Sequence, residues 1–449
     1  MPLLDLTEKN LNKNIFKLSI PVAIENVLHM SVFIIDAVMV GRLGTDALAS
    51  IGLAGALYFA ISMVFSSLSV GSASIVARHI GAKEKEAAQV VGAQAVLMSL
   101  ILGVLVTPLL LVFAQKMLVL MSAEPQVSVL GKSYLQIIGG FFIFRLIILA
   151  CNGILRGAGD TKTPMKVTII INCINILFNW LLIFGIGPFP RWGVAGAAWA
   201  TAIAYTIGTV LLCTKLFTGR CILRISIRQI IQFHFESVKR IIRISIPAAI
   251  DAFLTQIGFL IFAKIVAILG TIPLAAHQIA IRIESISFMP GFALAVSTAT
   301  LVGQSLGTKN VNLALLSMRR SCYFAMALMG FFAFIFLIFP AQMATIFKPE
   351  PSVLSLAVVC VMIAALEQPA LAIYMVYSGG LRGAGDTISP MIITIVGTLC
   401  FHVPISYLFG ITLGWGLAGV WFGSALDWIC RAIAIYILYR RGRWKRVKV

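Results

Sequence analysis

Long apolar runs separated by short polar connections make up most of this chain. Twelve of these runs are long enough to cross about 30 Å of hydrocarbon, which takes roughly 20 helical residues. They fall near 15–42, 47–77, 88–115, 126–154, 164–186, 193–217, 241–268, 273–304, 314–339, 352–380, 390–412 and 416–438. Several exceed the minimum, so tilting or extension beyond the bilayer is expected. The pattern predicts an all-α membrane protein with twelve transmembrane helices.

The runs also repeat. Leu155-Arg156-Gly157-Ala158-Gly159-Asp160-Thr161 recurs letter for letter as Leu381-Arg382-Gly383-Ala384-Gly385-Asp386-Thr387, 226 residues later, and Pro164-Met165 recurs as Pro390-Met391. Ile20-Pro21 matches Ile246-Pro247, Leu43-Gly44-Thr45 matches Leu269-Gly270-Thr271, and Glu124-Pro125 matches Glu350-Pro351 at the same offset. Trp192-Gly193 matches Trp415-Gly416 at 223, so one connection is three residues shorter. A self-match over half a chain marks two copies of one unit. Six spans per copy keep both copies in one orientation, the parallel type of transporter repeat. The expected domains are a six-helix bundle over 1–217, a basic cytoplasmic linker over 218–240, and a six-helix bundle with a basic tail over 241–449, the bundles related by a pseudo-two-fold axis along the membrane normal. An amphipathic helix is expected within the linker at Ile222–Phe235.

Composition supports membrane embedding: 60% of residues are hydrophobic, 11% are charged and the mean hydropathy is +1.01. A soluble globular chain carries about 25% charged residues. The eight cysteines form no CxxC pair and most lie in apolar runs, so they read as small buried hydrophobes rather than disulfides or metal ligands. Met1 to Lys17 mixes Asp5, Glu8, Lys9, Lys13 and Lys17, unlike a cleavable signal peptide.

The net charge of +19 is distributed by connection. Cations crowd the N-terminus, the even connections and the C-terminal run from Arg440 to Lys448, whereas the odd connections hold little beyond Arg42, Lys116, Arg191 and Lys348. The positive-inside rule then predicts a multi-pass protein of the cytoplasmic (inner) membrane with both termini cytoplasmic. The basic segments read as anchors to anionic lipid, not as a nucleic-acid surface.

Enzymatic motifs are missing. Gly157-Ala158-Gly159-Asp160-Thr161-Lys162 lacks the third glycine of a dinucleotide fingerprint and follows a long apolar run, and no Walker A sequence or His/Glu zinc pattern occurs. The repeated turns read as scaffold: Asp or Thr caps the next helix, Pro164 and Pro390 suit a first helical turn, and the glycines allow close helix approach. The chain is expected to be no enzyme and to need no cofactor.

Ionisable groups inside spans are costly and usually functional. Glu25, His29 and Asp36, spaced by 4 and 7, share one helical stripe of the first run, and Asn172, Asn175 and Asn179 share one in the fifth. Thr201 is a polar candidate in the sixth. Pro21 removes one helical hydrogen bond and is the expected hinge. The second copy departs here: Glu25 maps to Asp251, but Asp36 maps to Phe262 and Asn175 to Phe401. The first half is therefore the expected cation-binding half. The second half supplies further candidates for the transport cavity in Asp251, Gln256, Lys264, Arg282, Glu284, Glu367, Gln368 and His402.

These residues together resemble the multidrug and toxic compound extrusion (MATE) family over the whole chain. The paired Leu-Arg-Gly-Ala-Gly-Asp-Thr-x-x-Pro-Met motifs carry most of the likeness, with Pro21, Asp36, Val40-Gly41 and Leu301-Val302-Gly303-Gln304. Arg282-Ile283-Glu284-Ser285 through Phe288-Met289-Pro290-Gly291 resembles its DinF-like prokaryotic branch. The resemblance implies export of organic, often cationic, compounds in exchange for H+ or Na+ by a monomeric antiporter. It implies that Asp36 couples the ion, with Asn175, Asn179 and Thr201 as partners, and that Asp36, Asn175 and Asn179 could hold Na+. Glu25, His29 and Asn172 would line the cavity. Many relatives carry Asp where this chain has Asn179, and the acidic residues that the sodium-coupled branch uses in spans 7 and 10 have no clear match here. A flippase for lipids or lipid-linked sugars is the alternative; Arg145 and Lys264 are few cations for binding phosphates.

Overall fold

The computed structural model describes residues 4–121 and 124–447; Lys448 of the basic tail lies outside them. Among the described residues eleven helices are long and apolar enough to cross a membrane: Leu11–Gly41 (span 1), Thr45–Gly81 (span 2), Lys85–Leu120 (span 3), Lys162–Phe184 (span 5), Val194–Thr218 (span 6), Phe235–Ile268 (span 7), Thr271–Gly307 (span 8), Val311–Ile338 (span 9), Pro351–Gly383 (span 10), Ile388–Thr412 (span 11) and Gly416–Arg441 (span 12). Span 4 is a pair, Pro125–Gly140 and Phe142–Gly157, bent by 52°. Counting that pair as one gives the twelve spans expected from the apolar pattern.

The chain forms two compact units. One holds Ile24–Ser245 and the other holds Asp5–Ala23 with Ile246–Val449. The divisions fall inside spans 1 and 7, beside Pro21 and Pro247, and differ from the boundaries expected at the two ends of the linker 218–240. The first turns of span 1 group with span 9: Glu8 pairs with Arg320 at 3.2 Å, and the Phe16 ring lies 4.7 Å from that of Phe324.

The core of the first unit gathers Val40, Tyr58, Leu110, Leu135, Phe142 and Ile183. That of the second gathers Phe262, Ala280, Phe336, Val361, Val420 and Trp421. Large apolar residues such as Val112 (71% exposed) and Phe334 (60%) face outward, as a lipid-facing surface requires.

The repeated turns are built alike. Gly159 and Gly385 take φ of 87° and 89°, a left-handed conformation that favours glycine. Asp160 then caps span 5, accepting from Thr163 N at 3.0 Å and from Thr163 Oγ1 at 2.7 Å; Asp386 accepts from Ser389 N and Oγ at the same distances. A Cβ on Gly157 would fall 2.5 Å from Ala73 O, and one on Gly383 would strike the carbonyl of Ala299, the repeat equivalent of Ala73. Both observations agree with the scaffold role expected for these turns.

The linker contains a short helix, Ile227–Ile231, with a capping box between Ser226 and Gln229. Gln94 of span 3 fastens it, donating to Gln229 O (3.0 Å) and Gln232 O (2.8 Å) and accepting from His234 N (3.1 Å). The repeat breaks in span 11. Its counterpart, span 5, is α-helical throughout, but span 11 widens into π-helix at Gly397–His402 and Leu408–Thr412 around the α-helical turn Val403–Tyr407. Pro404 has no N–H to give to an i−4 carbonyl, and a wider turn accommodates that loss.

Candidate functional site: a polar ladder between spans 1 and 5

Spans 1 and 5 lie side by side, joined by polar contacts that rise in step along both. Thr168 Oγ1 reaches Glu25 Oε1 at 3.5 Å, Asn172 Nδ2 donates to Leu28 O at 2.9 Å, and Asn179 Nδ2 donates to Asp36 Oδ1 at 2.5 Å. Helical spacing in both sequences sets this alignment, since rungs four or so residues apart stay on one face.

The upper rungs form a chain. Asn179 Nδ2 also donates to Asn175 Oδ1 (3.0 Å), Asn175 Nδ2 donates to Thr201 Oγ1 (3.1 Å), and Thr201 Oγ1 donates to Ala197 O in the preceding turn of span 6 (3.1 Å). Asn175 and Asn179 are buried and Asp36 is half-buried. Asn179 Oδ1 is buried with no hydrogen-bond partner. Asp36 thus sits at the end of a relay of amide and hydroxyl groups, with a spare acceptor close by. The structure brings together all four residues expected to handle the cation.

Glu25 does a different job from Asp36. It is 1% exposed, and Arg156 Nη2 meets its Oε2 at 2.7 Å while Asn152 approaches Oε1 at 3.4 Å. His29, 44% exposed, is 3.9 Å from Glu25. The stripe of Glu25, His29 and Asp36 is therefore divided between two networks about 16 Å apart along the helix. The second unit repeats the lower one: Arg382 Nη2 pairs with Asp251 Oδ2. In both copies the arginine of the repeated turn holds the carboxylate of the first helix of that copy.

The upper network has no copy in the second unit. Phe262, at the Asp36 position, stacks on His402 with centroids 4.8 Å apart. His402 Nδ1 approaches Asp427 Oδ2 to 3.1 Å, and Asp427 is clasped by Arg431, whose Nε lies 2.8 and 2.9 Å from its two oxygens. Arg431 Nη2 also donates to Thr398 Oγ1 at 3.1 Å. Glu367, 1% exposed, lies beside Glu284 and leaves Oε2 without a partner; Gln368 accepts from Ser287 at 2.6 Å. Gln256 is half-buried and joins none of these networks.

Sequence reasoning missed Asp427, Arg431 and the ion pairs made by Arg156 and Arg382. The signal for the first pair was present: Asp427 and Arg431 stand four apart in an apolar run, the spacing of facing residues on a helix. For Arg156 and Arg382 the equal separation of 131 residues from Glu25 and Asp251 was the only hint.

Comparison with known proteins agrees with this geometry. The MatE family model matches residues 21–181 and 247–408, one segment in each half. The chain is 31% identical to the probable multidrug resistance protein NorM of Thermotoga maritima over 437 residues, covering 97% of this chain and 94% of the relative. It is 26% identical to the uncharacterized transporter YisQ of Bacillus subtilis, covering 96% and 94%. Among solved structures, an outward-facing multidrug resistance MATE family transporter of the MOP superfamily superposes with a TM-score of 0.90 at 26% identity, covering 98% of this chain and 97% of that one. A MOP superfamily transporter from Pyrococcus furiosus superposes with 0.90 at 25% identity, covering 97% of each. The chain, with its twelve-span fold duplicated at 226 residues and its two matched segments, belongs to the MATE family, a family of membrane transporters and not of enzymes.

Proposed function

We propose that this protein is a secondary active antiporter that exports organic, often cationic, compounds across the cytoplasmic membrane in exchange for H+ or Na+, with both termini cytoplasmic. The relatives named for multidrug resistance support the substrate class. The hydrogen bond from Asn179 to Asp36, at the end of the relay through Asn175 to Thr201, carries the ion-coupling part of the reading.

The step follows from charge. An ionised Asp36 holds Asn179 Nδ2 through a charge-assisted bond, stronger than a neutral one. A proton arriving at Asp36 cancels that charge and loosens span 1 from span 5. Sodium would do the same only with Asn179 turned over, so that its unpartnered Oδ1 faces the ion beside Asp36 and Asn175. Pro21 then serves as the hinge, because it leaves the carbonyl one turn earlier without a helical donor. Export of the substrate accompanies the bend, and an inward-facing Asp36 is again open to a cationic substrate.

The test is transport in proteoliposomes with H+ and Na+ gradients imposed separately. Asp36→Asn should abolish coupled export of an organic cation while the protein still elutes as a folded species. Undiminished gradient-driven export by that variant would overturn the proposal.

A further inference from the structure

The two copies differ at one more place, at the end of span 7 far from the Arg382–Asp251 pair. Ile261, Lys264, Ile265 and Ile268 form one stripe on the last two turns of span 7. They face Val403, Tyr407 and Leu408 of span 11 across an open groove of about 550 Å³, inside the range of natural ligand sites. The walls are apolar apart from Lys264, Tyr407 and Thr412. Lys264 is exposed and takes part in none of the ion pairs of the second unit.

Neither wall follows from the repeat. Lys264 occupies the position of Val38 in the first copy, an apolar residue 59% exposed. The opposite wall is the α-helical turn Val403–Tyr407 together with Leu408 and Thr412 of the π-segment that follows it, an interruption that span 5, α-helical throughout, lacks. Two independent departures from the duplicated plan therefore meet on one groove.

Depth fixes the kind of ligand. Lys264 lies four residues before the end of span 7 at Ile268, about 6 Å along the helix. In the part of span 7 that belongs to the second unit the only other ionisable side chain is Asp251, already paired with Arg382. So close to the end of a span, a lysine side chain reaches the headgroup level. A lone ammonium at phosphate depth, on the wall of an apolar groove, fits a molecule with one negative head and a hydrocarbon tail.

We propose that the groove between spans 7 and 11 binds an anionic phospholipid, its phosphate on Lys264 Nζ and one acyl chain along Ile261, Ile265 and Val403. This inference stands apart from the ion-coupling reading, because it uses none of the same residues.

The experiment uses the full chain in zwitterionic nanodiscs doped with phosphatidylglycerol carrying a photoactivatable group on its acyl chain, and peptide mapping of the adducts. Adducts should fall within 261–268 and 403–412. Lys264→Gln should lower them about fivefold, the effect of one cation near an anionic surface, and Lys264→Arg should restore them. Val403→Trp should remove them by filling the groove with Lys264 in place. Equal labelling by the matching phosphatidylcholine probe, or unchanged labelling of Lys264→Gln, overturns the proposal. Competition by free oleate as strong as that by unlabelled phosphatidylglycerol also overturns it, since the occupant is then any anionic amphiphile and not a phospholipid.

Discussion

Arg156 Nη2 lies 2.7 Å from Glu25 Oε2, and this guanidinium–carboxylate pair ties the end of span 4 to the lower part of span 1. Its copy, Arg382 with Asp251, ties span 10 to span 7. The repeated turn is thus more than a cap for the next helix, because its arginine also fixes the helix that begins its copy.

Breaking the pair from one side should be costly. Glu25→Ala leaves Arg156 without its buried counter-ion, a loss of about 3–5 kcal/mol by analogy with other buried pairs. Thermal unfolding in detergent should show a marked fall in midpoint. The exchange Glu25→Arg with Arg156→Glu should recover part of it, and failure to recover any would mean that packing, not charge, sets the loss.

Asp36 and Asn179 should act as one unit. Asn179→Leu is expected to lower the proton concentration needed for half-maximal export, because it removes the bond that favours ionised Asp36, or to raise the sodium concentration needed, because it removes an oxygen ligand. In the Asp36→Asn background it should add nothing further, because residues in contact share their effect. Additive losses in transport assays would separate the two residues functionally.

The Asp427–Arg431 pair is the most buried ion pair of the second unit, with exposures of 0% and 5%. Asp427→Asn should destabilise by roughly 3–5 kcal/mol, since it strands a guanidinium. The double change Asp427→Leu with Arg431→Leu should be much milder, because apolar replacement of both partners removes the desolvation cost as well. Chemical denaturation followed by fluorescence of Trp428, whose ring lies 5.1 Å from the Arg431 guanidinium carbon, would read both.

Gln94 of span 3 makes three hydrogen bonds to the linker, at Gln229, Gln232 and His234. Gln94→Ala should expose the segment 219–234 to limited proteolysis, with cleavage at Arg224 or Arg228 accelerated severalfold. The spans themselves should resist as before. Equal cleavage rates would show that the linker is held by its apolar contacts alone.

Much of this was legible in the chain. Twelve apolar runs became twelve spans because hydrocarbon allows little except a closed helix. Asp36, Asn175, Asn179 and Thr201 were legible because polar groups inside such runs need partners, and helical spacing named those partners. The division of the Glu25–His29–Asp36 stripe was not legible. A stripe shows which residues share a face, but what each meets depends on the neighbouring helix, here Arg156 at one level and Asn179 at another. The π-segments of span 11 were equally hidden, since Pro404 marks a missing donor without saying how the turn adjusts.

Span 11 gains something from those widened turns that span 5 lacks. Converting a π-turn to an α-turn absorbs one residue and leaves almost every backbone hydrogen bond made. Tyr407 ends the α-helical turn between the two π-segments, and Leu408 opens the second of them. They can therefore be rotated by about 100°, the angular step of one helical residue, without unwinding the helix at either end. In the second unit the side chains facing the last turns of span 7 are set by a register that the backbone can change cheaply, while in the first unit the rungs from Thr168 to Asn179 stand on an uninterrupted α-helix.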